Sequence, residues 1–467
     1  MLAEGTDITL QANTDITLDG AISVPTSNSS TLTLLAGRSI TLNQNITTNN
    51  GNLALRANTD SDLGTVDAQR DSGAASITNN ATIDVGSGSL TFDMDDGVGL
   101  TNTEQGDIVM GTVSSADDIV VTTHGTPTTG TLSAGSLTAS KTDTSAISIE
   151  AYDVGTITSL TTSNGNWKIY RLRSDTDDDF SNIPSAGFIQ YGYSDGDSVL
   201  GTGNGILTGY DPGNITKSYA NISGESYTVN KTYDSTTSTD TATFGTATTT
   251  SVNGLSSNIS LTLSSPTLTY DDADFNDNSK TVTASSAYTI SSATHSTHGT
   301  VYGLVGGTQS ISSARISKAV LSSSGSRTYD ATTTAAAADQ TLSGLINSET
   351  LSLSGSGTVT SADVGTSKTI TVGSLALSDG TGTASNYTLT GGTHTLTIIG
   401  QTSTESSTLS QIEIALVAAS ENGRNVELLP TTTSFKSVPA VTEKVTISTP
   451  DESLVVSPCV MQGGYCD

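Results

Sequence analysis

A four-residue alternation of polar and apolar residues recurs through the first third of the chain and restricts its fold more than any other feature. It reads Asp7-Ile8-Thr9-Leu10, Asp15-Ile16-Thr17-Leu18, Ser39-Ile40-Thr41-Leu42 and Asn52-Leu53-Ala54-Leu55, then Ser89-Leu90-Thr91-Phe92, Asp107-Ile108-Val109-Met110 and Asp118-Ile119-Val120-Val121. Successive side chains of a strand point to opposite faces, so each unit sends one apolar row inward and one Thr/Ser row outward. Asn49-Asn50-Gly51-Asn52 and Asp95-Asp96-Gly97 supply turns between units. A strand this short buries too little to stand alone, so the units must stack. A coil of parallel strands, spaced about 4.8 Å apart, does this while each backbone satisfies its neighbour. At about 20 residues per rung, residues 1–165 would form roughly eight rungs and about 40 Å of rod, more than the three or so repeats that stability needs. A β-sandwich is the alternative arrangement of the same strands.

Composition supports an all-β chain. Among 467 residues there are 6 Phe, 1 Trp and 4 Met, so the interior must be built from many small Ile, Leu, Val and Ala contacts. Gly reaches 46 and charged residues only 13%, which favours strands and turns over long helices. The formal net charge of -29 would repel a phosphate backbone or an anionic lipid face, which argues against nucleic acid as a partner. No apolar run approaches the roughly 18 residues of a spanning helix, so the chain is expected not to be membrane-spanning. The longest candidate is Ile412 to Ala419, and Leu2-Ala3-Glu4-Gly5 has no signal-peptide character, so an export signal is expected on a longer precursor.

Beyond the alternating region, 1–165, the pattern breaks. Residues 166–226 hold Trp167-Lys168-Ile169-Tyr170, Phe188-Ile189-Gln190-Tyr191 and Gly201-Thr202-Gly203-Asn204-Gly205. Aromatics gathered at the end of an aromatic-poor stack suggest a cap over the last open rung. Two related units follow, at 227–320 and 321–399. Lys231-Thr232-Tyr233-Asp234-Ser235-Thr236-Thr237 recurs as Arg327-Thr328-Tyr329-Asp330-Ala331-Thr332-Thr333, with Tyr329 lying 96 residues after Tyr233. That spacing is domain-sized and points to tandem β modules. The second unit continues through Ala362-Asp363-Val364-Gly365, Lys368-Thr369-Ile370 and Asn386-Tyr387-Thr388-Leu389, which the first echoes with Lys280-Thr281-Val282 and Val301-Tyr302-Gly303-Leu304. Residues 400–467 offer little core and read as an extended tail, punctuated by Pro430, Pro439, Pro450 and Pro458 and ending in Cys459 and Cys466.

The Asp-Ile-Thr-Leu units, with Leu34-Leu35-Ala36-Gly37 and Leu55-Arg56-Ala57, resemble the right-handed parallel β-helix of filamentous-haemagglutinin-type exoproteins, the adhesins exported by two-partner secretion. Trp167 to Tyr170 and Gly203-Asn204-Gly205 resemble the segment that often ends that helix. The two Tyr-Asp units resemble YDG-type modules of bacterial surface proteins, with Ser235 and Ala331 where the family usually has Gly. The resemblance spans about residues 1–400 and implies an extracellular, outer-membrane-associated adhesin stalk. Its partners would be an outer-membrane transporter and a host or surface receptor, with glycans as one receptor class. It also implies that Cys459 and Cys466 close a disulfide loop that holds the exported chain at its transporter, with Gly463-Gly464 allowing the tight turn. Free or zinc-binding thiols are the alternative, although two thiolates supply only half of a structural zinc site.

Motifs for chemistry are sparse. His124, His295, His298 and His394 sit in Thr/Ser-rich surroundings and are expected on the surface, with His295 and His298 on opposite faces of a strand unless a turn joins them. The acidic runs Asp93-Met94-Asp95-Asp96-Gly97, Asp175 to Asp179 and Asp271-Asp272-Ala273-Asp274 could hold calcium or simply be solvated turns. Asn45-Ile46-Thr47 is a glycan-acceptor triplet that a Thr-rich chain generates by chance. No nucleophile elbow, phosphate loop or zinc-protease motif occurs, so no cofactor, metal ligand or catalytic residue is assigned and no enzyme is expected. Because some parallel β-helices cleave polysaccharides, a secreted carbohydrate-active enzyme is the rival reading.

Overall fold

The computed structural model describes residues 2–25, 27, 29–100, 104–125, 128–142, 145–173, 180–251, 258–401, 446–448 and 453–455. The chain is all-β, as its composition requires. Helical turns among the described residues are three-residue 3-10 segments such as Ser61–Leu63 and Asp67–Gln69. The alternating region coils into parallel sheets. Ile8–Ala12, Thr31–Ala36, Asn52–Ala57, Leu90–Met94, Ile119–Thr123, Ile147–Ala151, Trp167–Arg171 and Gly205–Thr208 lie side by side in one sheet, each paired in parallel with the next. The strands between them, from Ile16–Leu18 to Asp153–Thr162, build a second parallel sheet.

The period-two pattern produces three apolar ladders. In the first sheet Leu32, Leu53, Leu90, Ile119, Ile147 and Trp167 stack in register. In the second, Ile40, Ile77, Ile108 and Leu132 stack on one flank and Ile46, Ile83, Val113 and Leu137 on the other. These residues are at most 2% exposed, each worth about 1.5–3 kcal/mol of transfer free energy, and they form one continuous interior. The Asp and Asn residues that lead many strands add a polar ladder outside. Their side-chain oxygens accept backbone N–H groups of the following rung, as in Asp7 with Thr31 (2.7 Å), Asp15 with Ser39 (2.9 Å), Asn52 with Ser89 (2.9 Å) and Asp107 with Thr131 (2.9 Å). These bonds, charge-assisted where the acceptor is Asp, tie adjacent rungs together where the chain turns.

Rung length departs from the expected 20 or so residues. It ranges from 20, between Ile147 and Trp167, to 37, between Leu53 and Leu90. Excursions such as the one carrying the two 3-10 turns leave the stack and return to it, lengthening a rung without disturbing its ladders.

The first sheet continues past residue 165. Gly205–Thr208 pairs with Phe188–Gln190, which pairs with Gly299–Tyr302, and the antiparallel strands Thr289–His295 and Ile259–Ser264 complete it. Gly201 and Gly205 lie under the Phe188 ring, where an added Cβ would come within 2.3 Å and 2.1 Å of ring carbons. The glycine-rich stretch 201–205 is therefore a seat for an aromatic side chain. Its Asn204 also accepts the Trp167 backbone N–H at 3.0 Å.

A five-stranded and a six-stranded sheet follow, with two- and three-stranded sheets beside them. The first unit contributes Val229–Thr232, Thr243–Phe244, Leu268–Tyr270, Asn276–Ala284 and Ser310–Ser317. The second forms a six-stranded sheet from Thr334–Ala336, Ser356–Val359, Gly365–Thr371, His394–Ile399, Ser322–Thr328 and Gln340–Ser343. Both share one apolar core, in which Val229, Val282 and Ile316 belong to the same cluster as Leu321, Ile370 and Leu396. Residues 1–398 form one compact unit, and in the remainder Thr446–Ser448 pairs antiparallel with Ser453–Val455.

Candidate functional site

Among the described residues, one group could offer three ligands to a metal: Asp93, Asp95 and His124. Register brings them together, since Leu90–Met94 pairs with Ile119–Thr123 and the chain leaves both strands at the same edge. The site already holds a cation of its own. Arg56, paired with Asp93 across the preceding rung, places Nε 2.9 Å from Asp93 and Nη2 2.9 Å from Asp95, while His124 Nε2 lies 2.8 Å from Asp93. Burial, followed by the neighbouring Asp93, raises the Asp95 carboxyl above its ordinary value, and Arg56 opposes that rise. Two carboxylates, a guanidinium and an imidazole make a compact charge network on the outside of the coil.

The acidic run at 271–274 also has an internal cation beside two of its carboxylates. Lys280, with only 4% of its side chain exposed, pairs with Asp272 and lies 3.7 Å from Asp271. Asp175 to Asp179 lies outside the described residues, as do Cys459 and Cys466. Asn45 spends its side-chain oxygen on the Thr82 N–H at 3.0 Å, within the polar ladder. An open cleft lined by Gln190, Leu200, Asp197 and Asp211 brings two carboxylates near each other, but each caps its own turn: Asp197 accepts from Ser194 N (2.7 Å) and Asp211 from Gly213 N (2.8 Å).

The histidines correct the sequence expectation. His124 is exposed, but His295, His298 and His394 are 5%, 0% and 4% exposed. A turn at 296–298 brings the His295 and His298 rings to 4.8 Å. His298 Nδ1 accepts from Ala186 N (3.2 Å) and Nε2 donates to the Phe180 carbonyl (3.2 Å). Burial, and secondarily His295, holds the His298 imidazole below its ordinary pKa, so the neutral ring pins segment 180–186 to the 289–302 hairpin. His394 lies between Ser323 Oγ (3.0 Å) and the Leu389 carbonyl (2.8 Å). Thr/Ser-rich neighbours concealed these roles, because Phe180 and Ala186 for His298 and Ser323 for His394 are distant in sequence.

The Tyr-Asp loops of the two modules are built alike. Asp234 Oδ1 accepts Thr236 N and Oγ1 at 2.9 and 2.8 Å, and Asp330 Oδ1 accepts Thr332 N and Oγ1, both at 2.9 Å. Lys231 and Arg327 occupy the same place, each pairing with its Asp and donating to the carbonyl of Thr236 or Thr332. Ser235 and Ala331 both adopt φ +61°, the left-handed conformation that glycine enters most easily. Both loops thus hold a residue with a side chain in the same left-handed conformation.

The first loop is docked on the second module. Tyr233 donates to Glu349 Oε1 (2.8 Å) and Tyr387 to Glu349 Oε2 (2.6 Å), with the two rings edge to face at 5.3 Å. Asn386 completes the seat, accepting from Phe275 N and donating to Asp274 Oδ1, both at 2.8 Å. Sequence reasoning identified Tyr233 and Asn386-Tyr387 as repeat markers but not Glu349, which no repeat singles out.

The YDG domain family matches residues 316–395, which is the second module. No curated protein and no solved structure matches the chain.

Proposed function

We propose that the chain is part of a secreted, cell-surface adhesin stalk without catalytic turnover, in which the β-coil is a spacer and the YDG-type modules extend it. The observation that carries this reading is the continuous interior: stacked ladders fill the coil, and a shared core runs through both modules. The YDG match over 316–395 is consistent with a surface protein. Its partners would be a two-partner-secretion transporter of the outer membrane and a host or surface receptor, glycans among them. Cys459 and Cys466 would close the loop that retains the chain at the transporter. A loop so short removes only about 2.5 kcal/mol of unfolded-chain entropy, so a mechanical stop suits it better than a stabilising role.

The test is surface display. Cells carrying the intact chain should adhere to a receptor panel, and Cys459→Ser should release the protein into the medium. Unchanged retention would remove the tether. Turnover of a polysaccharide by purified protein, abolished by one carboxylate substitution, would replace the stalk with an enzyme.

A further inference from the structure

We propose that Asp93, Asp95 and His124 bind a zinc-class divalent cation that staples two adjacent rungs of the coil. One ligand atom from each of the three lies within 4.8 Å of the other two. His124 Nε2 is 2.8 Å from Asp93 Oδ1 and 3.8 Å from Asp95 Oδ1. Bonds of about 2.0–2.1 Å to a tetrahedral zinc set neighbouring ligand atoms about 3.4 Å apart, so the two distances lie either side of what an ion between them requires. Two carboxylates and an imidazole suit zinc or a similar transition metal, whereas calcium and magnesium prefer an all-oxygen shell.

Arg56 does not exhaust these groups. It faces Asp93 Oδ2 and Asp95 Oδ1, while Asp93 Oδ1 and Asp95 Oδ2 are buried and accept no hydrogen bond among the described residues. His124 Nε2 comes close to Asp93 Oδ1, but the two meet without hydrogen-bond geometry. Asp95 is 4% exposed, and a buried carboxylate oxygen without a donor is costly. A cation held between the imidazole and the carboxylates removes that cost. It can enter from solvent, since 47% of the His124 side chain is exposed.

The backbone behind the three side chains is fixed by buried amides. Gln105 Nε2 donates to the carbonyls of Asp95 (3.1 Å) and His124 (2.8 Å), joining the two segments that carry the ligands. Asn58 Nδ2 donates to the same Asp95 carbonyl at 2.8 Å. Gln105 is 8% exposed and Asn58 0%, so both bonds are shielded from water. Outer groups that hold ligands in place are half of a metal site, and here they exist before any ion binds. The site is independent of the adhesin reading, and either can fail alone.

The experiment uses the full chain with Cys459→Ser and Cys466→Ser, which removes the tail thiols as rival ligands. After treatment with a chelator, zinc binding is measured by titration calorimetry and hydrogen exchange by mass spectrometry. Zinc should slow exchange in Leu90–Met94 and Ile119–Thr123 by about 100-fold at a free concentration about 100 times its dissociation constant. His124→Gln and Asp93→Asn should each weaken binding by about tenfold or more, with metal-free exchange in each variant confirming that the coil is folded. Arg56→Gln removes a neighbouring positive charge and no ligand, so it should tighten binding by about tenfold. Calcium should bind at least about 100-fold more weakly than zinc. Three results would overturn the proposal: no zinc binding up to about 1 mM, zinc binding that a folded His124→Gln or Asp93→Asn chain retains unchanged, or calcium binding as tight as zinc. The last two would leave an acidic surface that attracts cations without a site.

Discussion

Ala331→Gly should stabilise the second module. Ala331 sits at φ +61°, where a residue with a Cβ costs roughly 1–2 kcal/mol. Glycine removes that cost but loses roughly 0.5–1 kcal/mol more backbone entropy on folding. The net expectation is a gain of about 0.5–1 kcal/mol, since the alanine side chain is exposed and accepts no hydrogen bond. Ser235→Gly provides an internal comparison at the same φ. Its hydroxyl accepts a hydrogen bond from Asn347 Nδ2 across the module junction, and losing it gives back about 0.5–1.5 kcal/mol, so the change should be near neutral. A chain of several units does not unfold in one step, so the assay is native-state hydrogen exchange on the strand Gly365–Thr371. Thr328→Gly, at the end of the strand that leads into the loop, should destabilise. If Ala331→Gly destabilises as Thr328→Gly does, the left-handed backbone is not what the two loops share.

Two pH responses follow from buried donors. Burial, followed by the Glu349 carboxylate, pushes the Tyr233 and Tyr387 hydroxyls up to about 12. Their contribution is therefore fully present below pH ~10, the ordinary tyrosine value, and lost as pH rises towards about 12, where tyrosinate absorbance should track module unfolding; Glu349→Gln should bring both titrations down. The His298 shift runs downward, so its contribution is present above pH ~6.5 and lost as pH falls below it. Protection factors in the hairpin strands Thr289–His295 and Gly299–Tyr302, with each exchange rate divided by the intrinsic rate at its pH, should fall at pH ~5 relative to pH ~7.5, and His298→Gln should abolish the difference.

The coil was legible because alternation is local: Ile40, Ile77 and Leu53 announce their inward direction through their immediate neighbours. Rung length was not, because the 37 residues between Leu53 and Leu90 include an excursion that no ladder constrains. The buried histidines were hidden for a related reason. His298 is satisfied by Phe180 and Ala186, more than 110 residues away, and no window around His298 contains that information. Repetition revealed the Tyr-Asp loops, while Ser235 and Ala331, two different residues at the matching position, gave no sign in the sequence that both take the same left-handed conformation. Glu349 occurs once and pairs with two tyrosines from different modules, so only the folded chain brings its role into view.

In-register parallel stacking places like residues above one another, and for a chain of 46 acids and 17 bases that threatens repulsion wherever acids line one edge. The coil answers by setting a base beside them: Arg38 contacts Asp15 and Asp71, Lys141 contacts Asp118, and Arg56 bridges Asp93 and Asp95. Arg56→Gln should therefore cost more than a surface ion pair would. Asp95 is 4% exposed and would be left beside Asp93 without its guanidinium, a loss of about 2 kcal/mol once the partial exposure of Arg56 is allowed for. The sign with pH is opposite to that of an ordinary salt-bridged acid. The Asp95 carboxyl already titrates above its ordinary value, and removing Arg56 should raise it further. The neutral carboxyl then fits the fold better than the carboxylate, so the variant's deficit should shrink as pH falls from ~7 towards ~4.5 and grow as pH rises. Exchange in Leu90–Met94 and Ile119–Thr123 at the two pH values measures it, and a deficit that does not change with pH would mean that Arg56 acts through packing rather than charge.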